Sequence, residues 1–151
     1  MKIRTILLIM LSIILIFGIG FFAYTQFYHE EITVGNVNLT LPSGFHKGTS
    51  NSINDTNITN GTHTLFIAMY DSNDINKYVN MYINSSKERN YTVSTSNFTI
   101  DSIEVTKAVN DQTGAEHFWF IKDDKVYSIY DWEKLNNIDN IIFDLIKSSE
   151  K

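Results

Sequence analysis

The apolar positions of this chain follow two unlike patterns, an unbroken run at the start and short periodic bursts afterwards. Ile6 to Ala23 is almost wholly apolar, and Thr5 to Tyr28 carries no charged side chain. A helix needs about 20 such residues to cross a hydrocarbon core of roughly 30 Å. Lys2 and Arg4 precede the run while Glu30 and Glu31 follow it, so the positive-inside bias sets the N-terminus in the cytoplasm and the remainder outside. Residues 1–28 are therefore expected to be a cytoplasmic stub and a transmembrane signal-anchor, with the lipid bilayer as partner and Tyr24, Phe27 and Tyr28 at its outer interface. The alternative is a cleaved signal peptide with Gly18 and Gly20 as its small-x-small pattern, which would release a secreted domain. Against cleavage, the apolar run continues through Phe21, Phe22 and Ala23. A lipid anchor is excluded, because there is no cysteine to acylate and Lys2 stands where myristoylation needs glycine.

From residue 29 to 151 the bursts have the lengths of strands and short helices. Glu31 to Pro42 (EITVGNVNLTLP) reads as a hairpin turning at Gly35-Asn36. Lys47 to Thr62 follows, in which twelve of sixteen residues are Asn, Ser, Thr or Gly. So polar a stretch buries too little apolar surface to offset its ordering entropy, which predicts a mobile loop over about 46–62. His63 to Tyr70 is an apolar run of strand length. Asp71, Ser72 and Asn73 offer N-caps for a helix whose Ile75, Tyr78, Val79, Tyr82 and Ile83 share one face. Tyr91 to Val109 alternates as two strands or one bent strand, and Asp111 to Gly114 is a turn. Glu116 to Trp132 reads as a hairpin with Asp123-Asp124 at its tip. A last helix is expected over about Asn136 to Lys147, with Ile138, Ile141, Ile142 and Leu145 on one face.

Strands, helix, strands, helix without a long strand–helix–strand repeat is the α+β order. The expected architecture is an N-terminal transmembrane helix followed by one antiparallel-sheet domain with two helices packed on one face.

Charge narrows the partners. The chain has formal charge −5, hence −7 once Lys2 and Arg4 are set aside. That sign excludes nucleic acid, whose phosphates demand basic patches, and disfavours anionic lipid heads. No disulfide framework is available without cysteine.

Chemistry has few footholds. His29, His46, His63 and His117 lie on four separate segments with no metal-ligand spacing, so no metal or other cofactor is expected. Asp71 to Asp74 (DSND) fails as a calcium loop, because Ile75 and Asn76 stand where an oxygen ligand and glycine belong. No nucleophile elbow or S-x-x-K motif occurs, and Asp123-Asp124 at a solvated tip suits a turn. No catalytic residue is expected. One surface stands out: the face of the aromatic hairpin that carries His117, Trp119, Ile121, Val126 and Tyr130. Left uncovered it would be an apolar patch with polar handles, with His117, Trp119 and Tyr130 as its ligand or partner contacts; otherwise a loop or the first hairpin covers it. The chain also holds seven N-x-S/T sequons. Asn54, Asn57 and Asn60, in the expected loop, are the best glycosylation acceptors, while Asn38, Asn84, Asn90 and Asn97 complete the set.

The strand and LPSGF run at Leu39 to Phe45, the hairpin FWFIKDDKVYSIY and the closing helix IIFDLIKSS together resemble the PsbP-like family. That resemblance implies a small extracytoplasmic α+β domain, often membrane-tethered, in which a central antiparallel sheet packs against helices. It implies an accessory or assembly factor rather than an enzyme, and it assigns no site residue. The expected function is thus a non-catalytic binding or assembly accessory at the cell surface, with an envelope protein or a glycan as partner. The alternatives are an exterior hydrolase with convergent carboxylates and a glycosylated structural envelope component. An enzyme would show a concave pocket with a buried, strongly shifted carboxylate or histidine. A binding module would show a flat patch near Trp119 and Tyr130.

Overall fold

The computed structural model describes residues 3–27, 29–50, 52–132 and 138–149. In chain order the elements are α1 (Ile3–Phe27), β1 (Glu31–Val34), β2 (Val37–Thr40), β3 (His46–Lys47), β4 (Asp55–Thr59), β5 (Thr64–Tyr70) and α2 (Ile75–Glu88). Then follow β6 (Val93–Ile100), β7 (Ile103–Asn110), β8 (Glu116–Lys122), β9 (Lys125–Tyr130) and α3 (Ile138–Ser148). Seven strands make one antiparallel sheet in the order β3-β4-β5-β9-β8-β7-β6, and β1 and β2 form a separate hairpin.

Turn chemistry sets the register. Asp123 and Asp124 both have positive φ (49° and 57°), the two-residue turn whose twist matches that of flanking strands. It places Phe120 opposite Tyr127 and Phe118 opposite Ile129, as the alternation predicts. Gly35 turns the first hairpin at φ +59°, and a Cβ there would lie 2.2 Å from the Met69 sulfur. The turn therefore needs glycine for its backbone, while the contact is with the flexible end of the Met69 side chain.

Both faces of the sheet are apolar, and each takes a different cover. Leu39 and Leu41 of the first hairpin join Ile142, Leu145 and Ile146 of α3 over Leu65, Ile67, Phe118, Phe120, Tyr127 and Ile129, all buried in one cluster. Side chains of that size contribute about 1.5–3 kcal/mol each when fully buried, so this layer dominates stability. Ser148 Oγ accepts a hydrogen bond from the Thr40 amide at 2.9 Å, fixing the last helix to the first hairpin. Lys107 adds a tie from the sheet, with Nζ 2.6 Å from Asp139 of α3 and 2.9 Å from Glu116. Burial works against the Lys107 charge, but the two carboxylates outweigh it and raise its pKa. On the opposite face Val79 of α2 packs on Ala108, Trp119 and Val126, with Ile75, Tyr78, Tyr82 and Ile83 around them.

Four expectations are corrected. The two helices of the domain lie on opposite faces of the sheet, since each apolar face needs its own cover and the hairpin with α3 fills one. The segment 46–62 is not a mobile loop: β4 lies within it and pairs with β5 over five residues. Ile58 and Thr56 point inward and are buried, and two such positions in an extended strand suffice once the ladder supplies the backbone bonds. The N-cap of α2 is Asp74, whose carboxylate accepts from the Lys77 amide at 3.1 Å; Ser72 caps one step earlier, accepting from the Asp74 amide. Finally, the cover over the Trp119 face is a helix rather than a loop or the first hairpin.

Among the described residues no helix is long and apolar enough to cross a membrane. The side chains described in α1 are those of residues 9–22. The expected flanks Lys2 and Tyr28 lie outside the described residues, as do the side chains of Arg4, Tyr24 and Phe27 and the expected start of the last helix at Asn136.

Candidate functional site

Helix α2 is too short and too narrow to cover its whole face of the sheet. Where its C-terminal half lifts over the ends of β8 and β9, a cleft of about 280 Å³ remains. Three stretches of chain build it. Ser85, Ser86, Arg89 and Tyr91 come from the end of α2 and the turn after it; Asn110, Thr113 and Ala115 from the β7–β8 connection; His117, Tyr130, Asp131 and Trp132 from the hairpin ends. Tyr70 and Tyr82 close the sides.

The walls are fixed by local bonds. Asn110 is buried, and its Oδ1 accepts from the Gln112 and Thr113 amides at 3.0 and 3.1 Å, shaping the connection into a turn. Asp131 is buried too; its Oδ1 accepts from the Glu116 amide at 2.8 Å, and its own amide donates to Glu116 O. Asn90 ends α2 with φ 61°, and the Tyr91 amide turns back to Ser86 O at 2.9 Å, which brings Tyr91 to the rim.

A ladder of rings crosses the floor. Trp119 stacks on His117 at 3.9 Å, His117 on Tyr130 at 4.6 Å, and Tyr130 on Phe66 at 5.3 Å. Trp132 meets Tyr130 edge-on at 5.3 Å, and Tyr82 sets itself edge-to-face against both His117 and Trp119. Ring pairs in such geometries contribute about 0.5–1.5 kcal/mol beyond their burial. The burial gradient along the ladder is steep. Trp119 is 1% exposed whereas Trp132 is 64% exposed.

The electrostatics are those of a dry site. The His117 Nε2 is buried with no hydrogen-bond partner among the described residues, and desolvation pushes the ring down to about 3. It is therefore a neutral imidazole at any ordinary pH. Burial raises the Tyr82 phenol, a hydrogen bond from Ser86 opposes that, and the Asp131 charge adds to it. Tyr130 is raised by burial first, then by Tyr70 and Asp55.

The expected contacts divide accordingly. His117 and Tyr130 line the cleft, while Trp119 lies beneath it under Val79 and Tyr82 and is no surface residue. The flat patch is thus replaced by a concave site, because α2 covers one half of the aromatic face. Tyr70, Tyr82, Arg89, Tyr91, Asp131 and Trp132 escaped the sequence reading. Tyr78 and Tyr82 on one helical face were the available signal; the rest converge only through the topology.

The other candidates fall elsewhere. No group of three or more metal-ligating side chains occurs among the described residues; His46 sits with Glu30 at 3.2 Å in solvent. Asp71 pairs with Lys125 instead of forming a cation loop. Asn54 is exposed in the turn before β4. Asn57 lies within β4, its Nδ2 donating to Thr49 Oγ1, and Asn60 Oδ1 accepts from the Thr62 and His63 amides.

No known family and no curated protein matches this chain in sequence. Among solved structures it is similar to the solution structure of cyanobacterial PsbP (CyanoP) from Synechocystis sp. PCC 6803. The TM-score is 0.51 at 9% identity, over 80% of this chain and 90% of that one. At that identity the likeness shows the fold alone: an α+β domain with antiparallel sheets, similar to that of cyanobacterial PsbP.

Proposed function

We propose that this chain is a membrane-tethered, extracytoplasmic binding or assembly accessory whose ligand surface is the aromatic cleft between α2 and the β8–β9 hairpin. The uncharged run from Thr5 to Tyr28 with its basic tip supports the tether, as do the exposed large apolar side chains along α1, from Ile9 to Phe22. A cell-membrane location with the domain outside follows from that reading. The observation that carries the binding role is the chemistry of the cleft. Its walls are aromatic, its histidine is neutral, and polar groups from Arg89, Asn110 and Asp131 stand at the edges, which suits selective docking. The PsbP-like fold is consistent with an accessory rather than a catalyst. A photoreactive side chain at position 91 or 132 should crosslink one partner in native membranes, and Tyr130→Ala should abolish the adduct. Equal crosslinking from position 122, at the far end of the hairpin, would refute the assignment.

A hydrolase is the second reading, favoured by the concavity of the site and the shifted, buried His117. Its chemistry is weaker. A histidine at about 3 is far from the operating range of a general base, and among the described residues no side-chain nucleophile hydrogen-bonds to its Nε2. Turnover of ester, glycoside or peptide substrates that is lost in His117→Gln would establish this reading instead. Glycan on Asn54 is a further proposal, tested by a mobility shift on deglycosylation of the native protein.

A further inference from the structure

The cleft lies at a particular end of the sheet, and the chain enters the domain at that same end. Residues 28–30 alone separate α1 from β1, a reach of about 14 Å at full extension. Glu30 is then held in place: its carbonyl accepts from the Leu41 amide at 2.7 Å, and its carboxylate accepts from the Lys47 amide and lies 3.2 Å from the His46 ring. The strand ladder carries that position across the sheet. His46 faces Thr59, and Thr59 faces Thr64. Two residues further on, Phe66 faces Tyr130, which faces His117. At about 4.8 Å per strand, Tyr130 is only about 14 Å across from His46.

The two ends of the sheet differ in character. The entry end carries the Phe66–Tyr130 stack, Tyr91 and Trp132, the last two exposed. The opposite end, roughly 20 Å away along β5 and β9, carries Asp71, Asp74, Asp123 and Asp124 with Lys122 and Lys125. Charge occurs at both ends, and the opposite end also exposes Ile53 and Ile121. Among the described residues, however, exposed tryptophan and tyrosine side chains occur only at the entry end, and those are the rings that favour a headgroup layer.

We propose that the cleft end of this domain rests on the outer headgroup layer of the bilayer, with Trp132 and Tyr91 inserted among zwitterionic headgroups, so that the cleft takes its ligand at the membrane surface. The inference rests on the tethered reading above. The short connection keeps the entry end within about 14 Å of where the helix leaves the membrane. The net negative charge of the domain selects zwitterionic over anionic lipid. Apolar and aromatic burial supplies the attraction, and tethering adds a high local concentration of surface.

The test uses the full chain reconstituted in phosphatidylcholine vesicles that carry a nitroxide close to the headgroup. The two tryptophans divide the signal, since Trp119 is buried and Trp132 exposed. Emission of the unaltered protein should fall by about a third to a half on nitroxide lipid, and that sensitivity should vanish in Trp132→Phe. Ile53, exposed before β4 at the opposite end, supplies the control: in the Trp132→Phe background, Ile53→Trp should remain unquenched. Co-flotation with the vesicles separates the two readings. A chain that floats with the vesicles but is unquenched, or is quenched equally through Ile53→Trp, overturns the orientation while leaving the tether. A chain that fails to float overturns both. Crosslinking between chains through position 132, without lipid quenching, would assign this end to a second copy instead.

Discussion

The two faces of the central sheet solve the same problem differently. On one, the first hairpin and α3 together close a continuous layer whose aliphatic and aromatic side chains are buried. On the other, a single helix seals Val79, Ala108, Trp119 and Val126 and stops. The remaining rings form the cleft with His117 beside them. A complete cover yields stability and no access, whereas an incomplete one leaves apolar surface that must be either tolerated or used. The incomplete face also holds the buried His117 Nε2 and the Ser128 hydroxyl, neither with a hydrogen-bond partner among the described residues. Such groups cost stability.

The largest effect tests whether Trp119 belongs to the sealed part. Phe120→Ala and Trp119→Ala should each cost about 3–5 kcal/mol, read as a lowered denaturant midpoint. A loss under 1 kcal/mol for Trp119→Ala would mean that α2 does not seal it. Next is pH. Folded His117 resists protonation down to about 3 while the unfolded ring titrates near 6.5. Stability from its neutral burial is thus full above 6.5 and is lost as pH falls below it. Between pH 6.5 and 5 the loss should be roughly 2 kcal/mol, and His117→Phe should lack that component in acid-unfolding curves.

Smaller changes probe the edges of the same comparison. Asp74→Ala removes the cap of α2 and should cost about 1 kcal/mol, with amide exchange accelerated in α2 but not in α3. Trp132→Ala, at the exposed end of the ladder, should change stability by less than about 0.5 kcal/mol while weakening crosslinking from position 91. A larger stability change would place Trp132 in the core.

How much of this was legible from the residues varies by element. The β8–β9 register was fully readable, because Asp123-Asp124 dictates a two-residue turn and period-2 alternation then assigns both faces. The α2 face was readable for the same kind of reason, five apolar positions at helical spacing. β4 was not, since its alternation rests on Ile58 and Thr56 amid polar neighbours, and hydrogen bonding to β5 rather than hydrophobicity holds it. Opposite placement of the helices was also hidden: amphipathicity tells a helix which side to bury, never which face of a sheet receives it. The cleft was half legible. His117 and Tyr130 follow from hairpin alternation, whereas Arg89, Tyr91 and Trp132 arrive from connections whose paths only the fold determines.

The bond from the Thr40 amide to Ser148 joins residues 108 positions apart in sequence, and it has a temporal meaning. The first hairpin and α3 complete one layer together, so the layer stays open until α3 has been made. A nascent chain that has already delivered Phe118, Phe120 and Tyr127 must hold them without their cover until α3 emerges. Docking of α3 is accordingly the closing step in the folding of this domain, and the interval before it is when the chain most needs protection from aggregation.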